Sequence, residues 1–509
     1  MTREVLRGGL VVCGATSDAG KSWVTAGLCR LLARQGVSVA PFKAQNMALN
    51  AAVTADGAEI GHAQWVQAVA AGVEAEAVMN PILLKPTSER ASQVVVLGEA
   101  RGVLDAASYH ESKADLWPVV LGALADLRSR FDVVICEGAG GAAEINLLHR
   151  DLANLPLAAA AGLPAIVVGD IERGGVFAAL HGTVDLLPPE LRTTVRGFVI
   201  NRFRGDPSLL ADATDVLESR SGVPTLGVVP LVGGPDLDAE DSLALDRWDA
   251  PAPADGPVLD VAAIRLPHLA NFGDLDPLRV EPSISVRWVS RAAELGRPHL
   301  VVLPGSKATR ADLAWLRATG LASRIGNLDT TVVAICAGLQ MCGRSIADPS
   351  GVEGPSGTEP GLGWLPVATA FEGDKVLDRP AGTVVDGPGR GSSASGYRIH
   401  HGRVTADHGS QPWLVAADGT VLGWHRGNVV GTTLHGLFED DHLRGALVGW
   451  AAERAGLDGI DGARVGFGDI RQGRLDAAAD ALEQHVDVDR LLAIIGEGAP
   501  VPIASGVPT

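Results

Sequence analysis

Apolar residues in the first half of the chain fall in short β-branched runs, separated by longer Ala- and Leu-rich stretches. Gly9 to Cys13 (GLVVC) predicts a buried strand, Ser22 to Gln35 a helix, and Val37 to Pro41 a second strand. The series continues with Phe131 to Cys136, Pro164 to Gly169, Gly197 to Asn201 and Thr225 to Val229. Continuous apolar runs of strand length, with helices between them, predict parallel strands covered on both faces. The texture changes from Leu231 to Pro257, an acidic stretch with Pro, Ala and Gly near its end, which reads as an interdomain linker. A second strand-rich segment begins at Leu259 (LDVAAIRL) and runs to about Gly449. Within it, Glu372 to Ser395 is rich in Gly, Asp, Pro and Ser and predicts a flexible surface excursion. Beyond about Ala451 the chain reads as a polar, Ala-rich helical tail whose last dozen residues fray. The resulting division is 1–232, a linker at 233–258, a second domain at 259–450 and a tail at 451–509.

Composition narrows the function. With 46% apolar and 20% charged residues, a fibrous or wholly disordered chain is excluded. There are 60 acidic against 42 basic residues, a formal charge of -18. That disfavours nucleic acid, which needs a basic face. An anionic substrate would need a local cationic site inside a repelling field. The five cysteines match no zinc spacing and read as reduced thiols. MTREVLRGG lacks the apolar core of a signal peptide. The longest apolar run, Leu152 to Gly169, is broken by Asn154, Pro156, Gly162 and Pro164 and is no membrane span. A cytoplasmic protein is expected.

Candidate chemistry appears first after the GLVVC strand. Gly14-Ala-Thr-Ser-Asp-Ala-Gly20-Lys21-Ser22 then opens a helix. Glycines let backbone N–H groups turn towards phosphate oxygens, and the helix N-terminus adds partial positive charge. Lys21 would reach the terminal phosphates of ATP and Ser22 would ligate Mg²⁺. Other polar residues stand at strand ends, where open α/β sheets place ligands. Lys43 follows one strand, Glu137 and Asp170 end two others, and Asp56 precedes a helix. Ser22, Asp56 and Glu137 form a plausible hard-oxygen set for Mg²⁺. Asn201 would either read a nucleobase or simply turn the chain.

In the second segment, strand TVVAI (Thr331 to Ile335) runs into Cys336-Ala-Gly338-Leu-Gln340. A cysteine on a sharp strand-to-helix turn is exposed to substrate and favoured as a nucleophile. A buried structural cysteine is the alternative reading. The loop at Gly305 and the N–H of Ala337 would bind an oxyanion. His435 ends strand VVGTTL and suits a general base, with His400 and His401 as competitors among thirteen histidines.

Taken with PFKAQNMALNAAVTADGAEIG, NPILLKPTSE, EGAGGAAEINL, DIERGGVFA, GFVINRFRGD, LPGSKATRADLAWL, GYRIHHG and GTTLHGLF, these residues resemble the cobyric acid synthase family over about Gly9 to Arg444. The resemblance implies an α/β chain with two parts. The N-terminal part is a P-loop parallel sheet similar to dethiobiotin synthetase, and the C-terminal part is like the class I glutamine amidotransferases. It also implies the substrates: ATP, L-glutamine and adenosylcobyrinic acid a,c-diamide. Carboxylates b, d, e and g would be amidated after phosphorylation. Cys336 would form a glutamyl thioester, His435 would activate the thiol, and Lys21, Ser22 and Lys43 would hold the phosphates and Mg²⁺. Formation of the a,c-diamide itself, or amidation of another polycarboxylate, is the alternative. A P-loop scaffold carrying a dead amidotransferase module is a third reading.

The chain departs from the family pattern in three places. Ala334 and Ala337 stand where the turn usually has glycine. Leu437 stands where related enzymes carry the triad glutamate, so the third triad member is missing or comes from elsewhere. Arg398 replaces a more usual acid. A cationic pocket for the corrinoid is expected at Lys85 with Arg90, or at Arg202 with Arg204.

Overall fold

A computed structural model describes residues 6–87, 91–233, 238, 245, 256–407, 410–460, 463 and 465–498. Most of the expected linker, Arg90 and the residues from 499 onward, where fraying is expected from sequence, lie outside the described residues. Contacts divide the chain into two units. One comprises Met1–Ala48, Ile60–Gly234 and Gln472–Thr509, and the other Leu49–Glu59 and Pro235–Arg471.

The first unit is built on a six-stranded parallel sheet. Its order is Thr225–Pro230, Val195–Phe203, Ala165–Asp170, Gly8–Gly14, Val133–Glu137 and Val39–Phe42. Every residue of the central Gly8–Gly14 strand is buried, as a run without alternation requires. The following helix, Lys21–Arg34, covers one face with Val24, Leu28 and Leu32. A smaller sheet, not anticipated from the sequence, contains Ile82–Pro86, Ala91–Val96 and Glu99–Asp105. Its tight turn uses Leu97 and Gly98, both at positive φ (48° and 81°), the geometry that matches strand twist in a two-residue hairpin.

The C-terminal stretch is not a peripheral tail. Leu475, Leu482, Val486, Leu491, Ile494 and Ile495 share a core with Leu10, Val12 and Ile166. Gly27 makes room for this: a Cβ there would lie 2.7 Å from Leu482. Arg30 clamps the same helix through Asp476 at 2.7 and 3.1 Å. Of the polar positions, Asp476 and Asp480 pair with arginines of the Lys21–Arg34 helix and Glu483 to His485 are exposed, while the apolar ones complete the first unit.

The second unit has a nine-stranded mixed sheet. Ile284–Val289, Leu259–Ile264, Leu300–Leu303, Thr331–Ile335 and Val429–Thr432 run parallel. Val421–Arg426, Pro412–Ala416, Ala381–Val384 and Ser393–Ser395 extend it antiparallel. Separate apolar clusters cover its two faces. The supposed excursion at 372–395 is a correction: it is largely strand. Val367–Asp378 pairs with Arg398–Ala406, and Ala381–Val384 joins the main sheet. Much of the glycine that suggested a loop sits in the turn, where Gly387, Gly389 and Gly391 take φ of 75°, 77° and 91°. Arg398 has a structural partner here, since its Nε donates to Asp378 Oδ1 across the strand pair at 2.8 Å.

Because Leu482 is buried in the shared core, Leu482→Ala should destabilise the first unit by about 2–5 kcal/mol. Urea unfolding checks this. A change within about 0.5 kcal/mol, the range of an ordinary surface site, would show that the C-terminal helices are dispensable.

Candidate active site

Cys336 sits between strand Thr331–Ile335 and the short helix Ala337–Cys342. Its backbone takes φ 53° and ψ -107°, an uncommon conformation for a residue with a Cβ. Such strain costs roughly 1–3 kcal/mol and persists only where the surroundings enforce it. Two contacts do so: Cys336 N donates to Thr432 O at 2.7 Å, and Cys336 O accepts from Gln340 N at 3.1 Å. The substituted glycines are explained by the same geometry. Neither Ala334 nor Ala337 has positive φ, so the turn tolerates both methyl groups. Gly338 is different, because a Cβ there would lie 2.1 Å from Leu303 O.

His435 follows the adjacent parallel strand, Val429–Thr432, which places it beside the cysteine turn. The imidazole is fully buried and lies within the electrostatic influence of Cys336. Its Nδ1 donates to Asp274 Oδ2 at 2.7 Å, and the next amide, Gly436 N, donates to Asp274 Oδ1 at 2.7 Å. Asp274 is thus the acidic partner that the sequence reading lacked. Leu437, at the usual position of that acid, is buried among apolar residues. Glu439 pairs with Arg471 instead. Asp274 comes from the single-turn helix Phe272–Leu275, far from His435 in sequence. The one available signal was an aspartate inside the apolar stretch LANFGDLDPL, since a buried acid requires a partner.

Burial alone would discharge the His435 ring, but the negative charges of Asp274 and Cys336 outweigh it and raise its pKa to about 10. Tyr397 stacks on the ring at 5.3 Å and 19°, and the two residues exchange backbone hydrogen bonds. Gly396 lets them approach, because a Cβ there would lie 1.9 Å from His435 O. Gly305 also lies against the ring, with its missing Cβ 2.9 Å from His435 Cε1. The competing histidines have other surroundings. Burial, then the charge of Arg398, pushes His400 down to about 3. Burial, then Lys307, pushes His401 down to about 4. Cys342 and the strand cysteines are buried thiols; burial pushes Cys342 upward and Cys136 up to about 12.

The first unit holds a separate cluster. Gly14 and Gly20 are steric necessities: added Cβ atoms would lie 2.6 Å from Thr16 O and 2.1 Å from Asn201 Nδ2. Gly20 also takes φ 95°. Lys21 Nζ donates to Gly140 O at 2.9 Å and to Thr16 O at 3.3 Å, so it lies along the loop. The helix it opens has no side-chain cap. Glu137, at its strand end, accepts from Ser22 Oγ at 2.8 Å and Lys43 Nζ at 2.9 Å through one oxygen, and from Gln67 through the other. Burial would raise the Glu137 pKa, but Lys43 and these hydrogen bonds hold the carboxyl below its usual range. Asn201 donates to Ala19 O at 3.1 Å and braces the loop.

Asp56 lies on Leu49–Glu59, which packs with the second unit, and there it accepts from the Thr54 hydroxyl. Among the described residues, no group of three His, Cys, Asp or Glu side chains is arranged to hold a metal. Arg202 pairs with Asp170 at 3.0 Å and Arg204 with Glu172 at 2.7 Å, so both guanidinium charges are already compensated. Lys85 is buried. No helix among the described residues is long and apolar enough to cross a membrane.

Residues 10–234 match the CobQ/CobB/MinD/ParA nucleotide binding domain family. Residues 260–443 match the CobB/CobQ-like glutamine amidotransferase domain family. Over nearly the whole chain the protein is similar to curated cobyric acid synthases. That of Rhodococcus jostii is 49% identical, over 98% of this chain and 98% of that protein. The Frankia casuarinae protein is 49% identical over 97% and 98%. The Nocardia farcinica protein is 48% identical over 97% and 98%.

Asp274 should control the ionisation of His435. In ¹³C-histidine NMR, the ring signal lost in His435→Gln should titrate in the intact protein near pH 10. In Asp274→Asn it should move down towards the ordinary histidine value of about 6.5. An unchanged midpoint would remove Asp274 from the centre.

Proposed function

Since the chain belongs to the cobyric acid synthase family, we propose that it converts adenosylcobyrinic acid a,c-diamide to cobyric acid. Carboxylates b, d, e and g receive ammonia from L-glutamine in an ATP-dependent reaction. One observation carries this reading: a Cys336–His435–Asp274 centre and a phosphate loop at Gly14–Ser22 occur on one chain. The first suits acyl transfer from an amide, and the second suits phosphoryl transfer to a carboxylate.

In the glutaminase reaction, Cys336 sulfur attacks the side-chain amide carbon of glutamine. The C–N bond breaks, and the imidazolium of His435 gives its proton to the leaving ammonia. Water then attacks the thioester, with His435 as its base, and glutamate leaves. Asp274 holds the ring in the tautomer with Nδ1 protonated and stabilises its positive charge. The Gly305 and Ala337 amides are the proposed donors to the oxyanion of both tetrahedral intermediates.

In the synthetase reaction, a substrate carboxylate oxygen attacks the γ-phosphorus of ATP, giving an acyl phosphate and ADP. Ammonia attacks the acyl carbon and phosphate leaves with the bridging oxygen. A bare carboxylate cannot react this way because its leaving group would be oxide. The Gly14–Gly20 amides and Lys21 are proposed to cradle the phosphates, and Lys43 to balance the negative charge gathered there. Asn201 keeps the loop in shape. Ser22 and Glu137 are the proposed protein ligands of Mg²⁺, which when bound supplies charge neutralisation of the phosphates. Asp56 was the third candidate ligand from sequence, and the proposal for the metal rests on the Ser22–Glu137 pair.

Two variants test the two halves. Cys336→Ser should lose glutamine-dependent amidation by at least about 10³-fold and retain amidation with ammonium salts, followed as mass gain of the a,c-diamide. Retained glutamine use would sink the thioester step. Lys21→Ala should lose amidation with both nitrogen sources. If the intact enzyme instead amidates cobyrinic acid and leaves the a,c-diamide untouched, the alternative substrate is correct.

A further inference from the structure

The segment Leu49–Glu59 comes from the N-terminal half of the sequence, yet it packs within the second unit. Its contacts there are specific. Ala51 N donates to Asn271 Oδ1 at 3.0 Å. In return, Phe272 N donates to Asn50 Oδ1 at 3.3 Å. Both asparagines are buried, at 2% and 5% exposure, so each side-chain oxygen satisfies a backbone N–H that water cannot reach. At the far end of the segment, the fully buried Glu59 pairs with Lys375. The strand Ala51–Val53 also lies against the strand Arg398–Ala406.

The position of this exchange matters more than its existence. Asn271 and Phe272 begin the turn that carries Asp274. Asn271 holds φ 53° and ψ 44°, a left-handed conformation that asparagine tolerates better than most residues. Asp274 N donates to Asn271 O at 3.2 Å, closing the turn. The chain of contacts therefore runs from Asn50 and Ala51, through Asn271 and Phe272, to Asp274, His435 and Cys336. Nothing in the turn is long enough to fix itself: Phe272–Leu275 is a single turn of 3-10 helix. A 3-10 turn has few hydrogen bonds of its own and poor geometry in them, so the contacts at its ends add to what holds the carboxylate in place.

We propose that Asn50 and Asn271 are positioning residues for glutamine hydrolysis, clamping the turn that aims Asp274 at His435. The inference rests on the proposed glutaminase role of Cys336 and His435. It adds that the second unit's chemistry depends on a segment encoded between Lys43 and His62, outside the region that matches the amidotransferase family. The mechanism is geometric. Losing an acceptor leaves a buried N–H unpaired, the turn shifts to satisfy it, and the aspartate moves relative to the ring. Misplacement on the ångström scale is enough to slow a reaction about 100-fold.

The test uses the full-length protein. Asn271→Gly keeps the left-handed backbone but removes the acceptor, and Asn50→Ala removes the other acceptor. Asn271→Asp and Asn50→Asp keep an oxygen in place. The first two variants should lower kcat for glutamine hydrolysis about 10- to 100-fold with little change in KM, and the aspartate variants should restore most of it. Asn271→Gly should leave ammonia-dependent amidation intact. A second readout needs no substrate: the His435 ring titration should fall from near pH 10 in both loss variants. Among the described residues, the titratable groups around that ring include Asp274, Cys336, Tyr397 and His400, with Glu439 and Arg471 acting on Tyr397, and none of them is altered. Unchanged kcat together with an unchanged titration overturns the proposal. So does a parallel loss of ammonia-dependent amidation, which would indicate general damage. Should the intact protein fail to hydrolyse glutamine, the parent reading falls, and the titration alone decides whether these residues position Asp274.

Discussion

A single buried carboxylate organises the second unit's candidate site. Asp274 lies almost out of reach of water and accepts two hydrogen bonds, one from the His435 ring and one from the following amide. An isolated carboxylate would not remain charged in such a place. Here both of its oxygens are bonded, and the charges of Asp274 and Cys336 raise the His435 pKa against the effect of burial. The sheet order places the strands carrying Cys336 and His435 side by side. The loop of Asp274 completes a line of three groups. The same logic recurs in the first unit, where buried Glu137 is held by Lys43, Ser22 and Gln67. Both centres stand at the ends of parallel strands, where the backbone stops bonding to its neighbours and side chains take over.

Much of this was legible from sequence because the informative signals are local. Buried strands announce themselves by apolar runs, and every strand read in the first half appears in the parallel sheet. Gly14 to Ser22 and Cys336 to Gly338 were readable because tight turns between strand and helix restrict residue choice over a few consecutive positions. Gly20 and Gly338 illustrate the restriction: a Cβ at either would lie 2.1 Å from another atom.

What escaped was non-local. Asp274 is separated from His435 by most of the second unit, and its own neighbourhood carries no motif. Leu49–Glu59 lies inside the N-terminal half of the sequence, and only the three-dimensional arrangement assigns it to the second unit. The antiparallel strands at 372–395 were hidden by turn-forming residues, whose composition says nothing about the pairing between the turns. The C-terminal helices looked solvated because a helix that closes a core keeps its other face polar. The charge of -18 is resolved in a similar way. Buried lysines 21, 43 and 85 all belong to the first unit, while exposed arginines such as Arg204 are neutralised by neighbouring acids. Net charge described the surface and not the interior, where these lysines lie.

The proposed reaction requires Cys336 to be an acyl-accepting nucleophile and not a buried structural thiol. The direct measurement is acid quenching of the enzyme after mixing with ¹⁴C-labelled glutamine, followed by peptide mapping. Label bound as a glutamyl thioester, released by hydroxylamine and confined to the peptide containing Cys336, is the predicted result. Glutamine hydrolysis that proceeds with no label on that peptide, or with label on Cys342 instead, would contradict it.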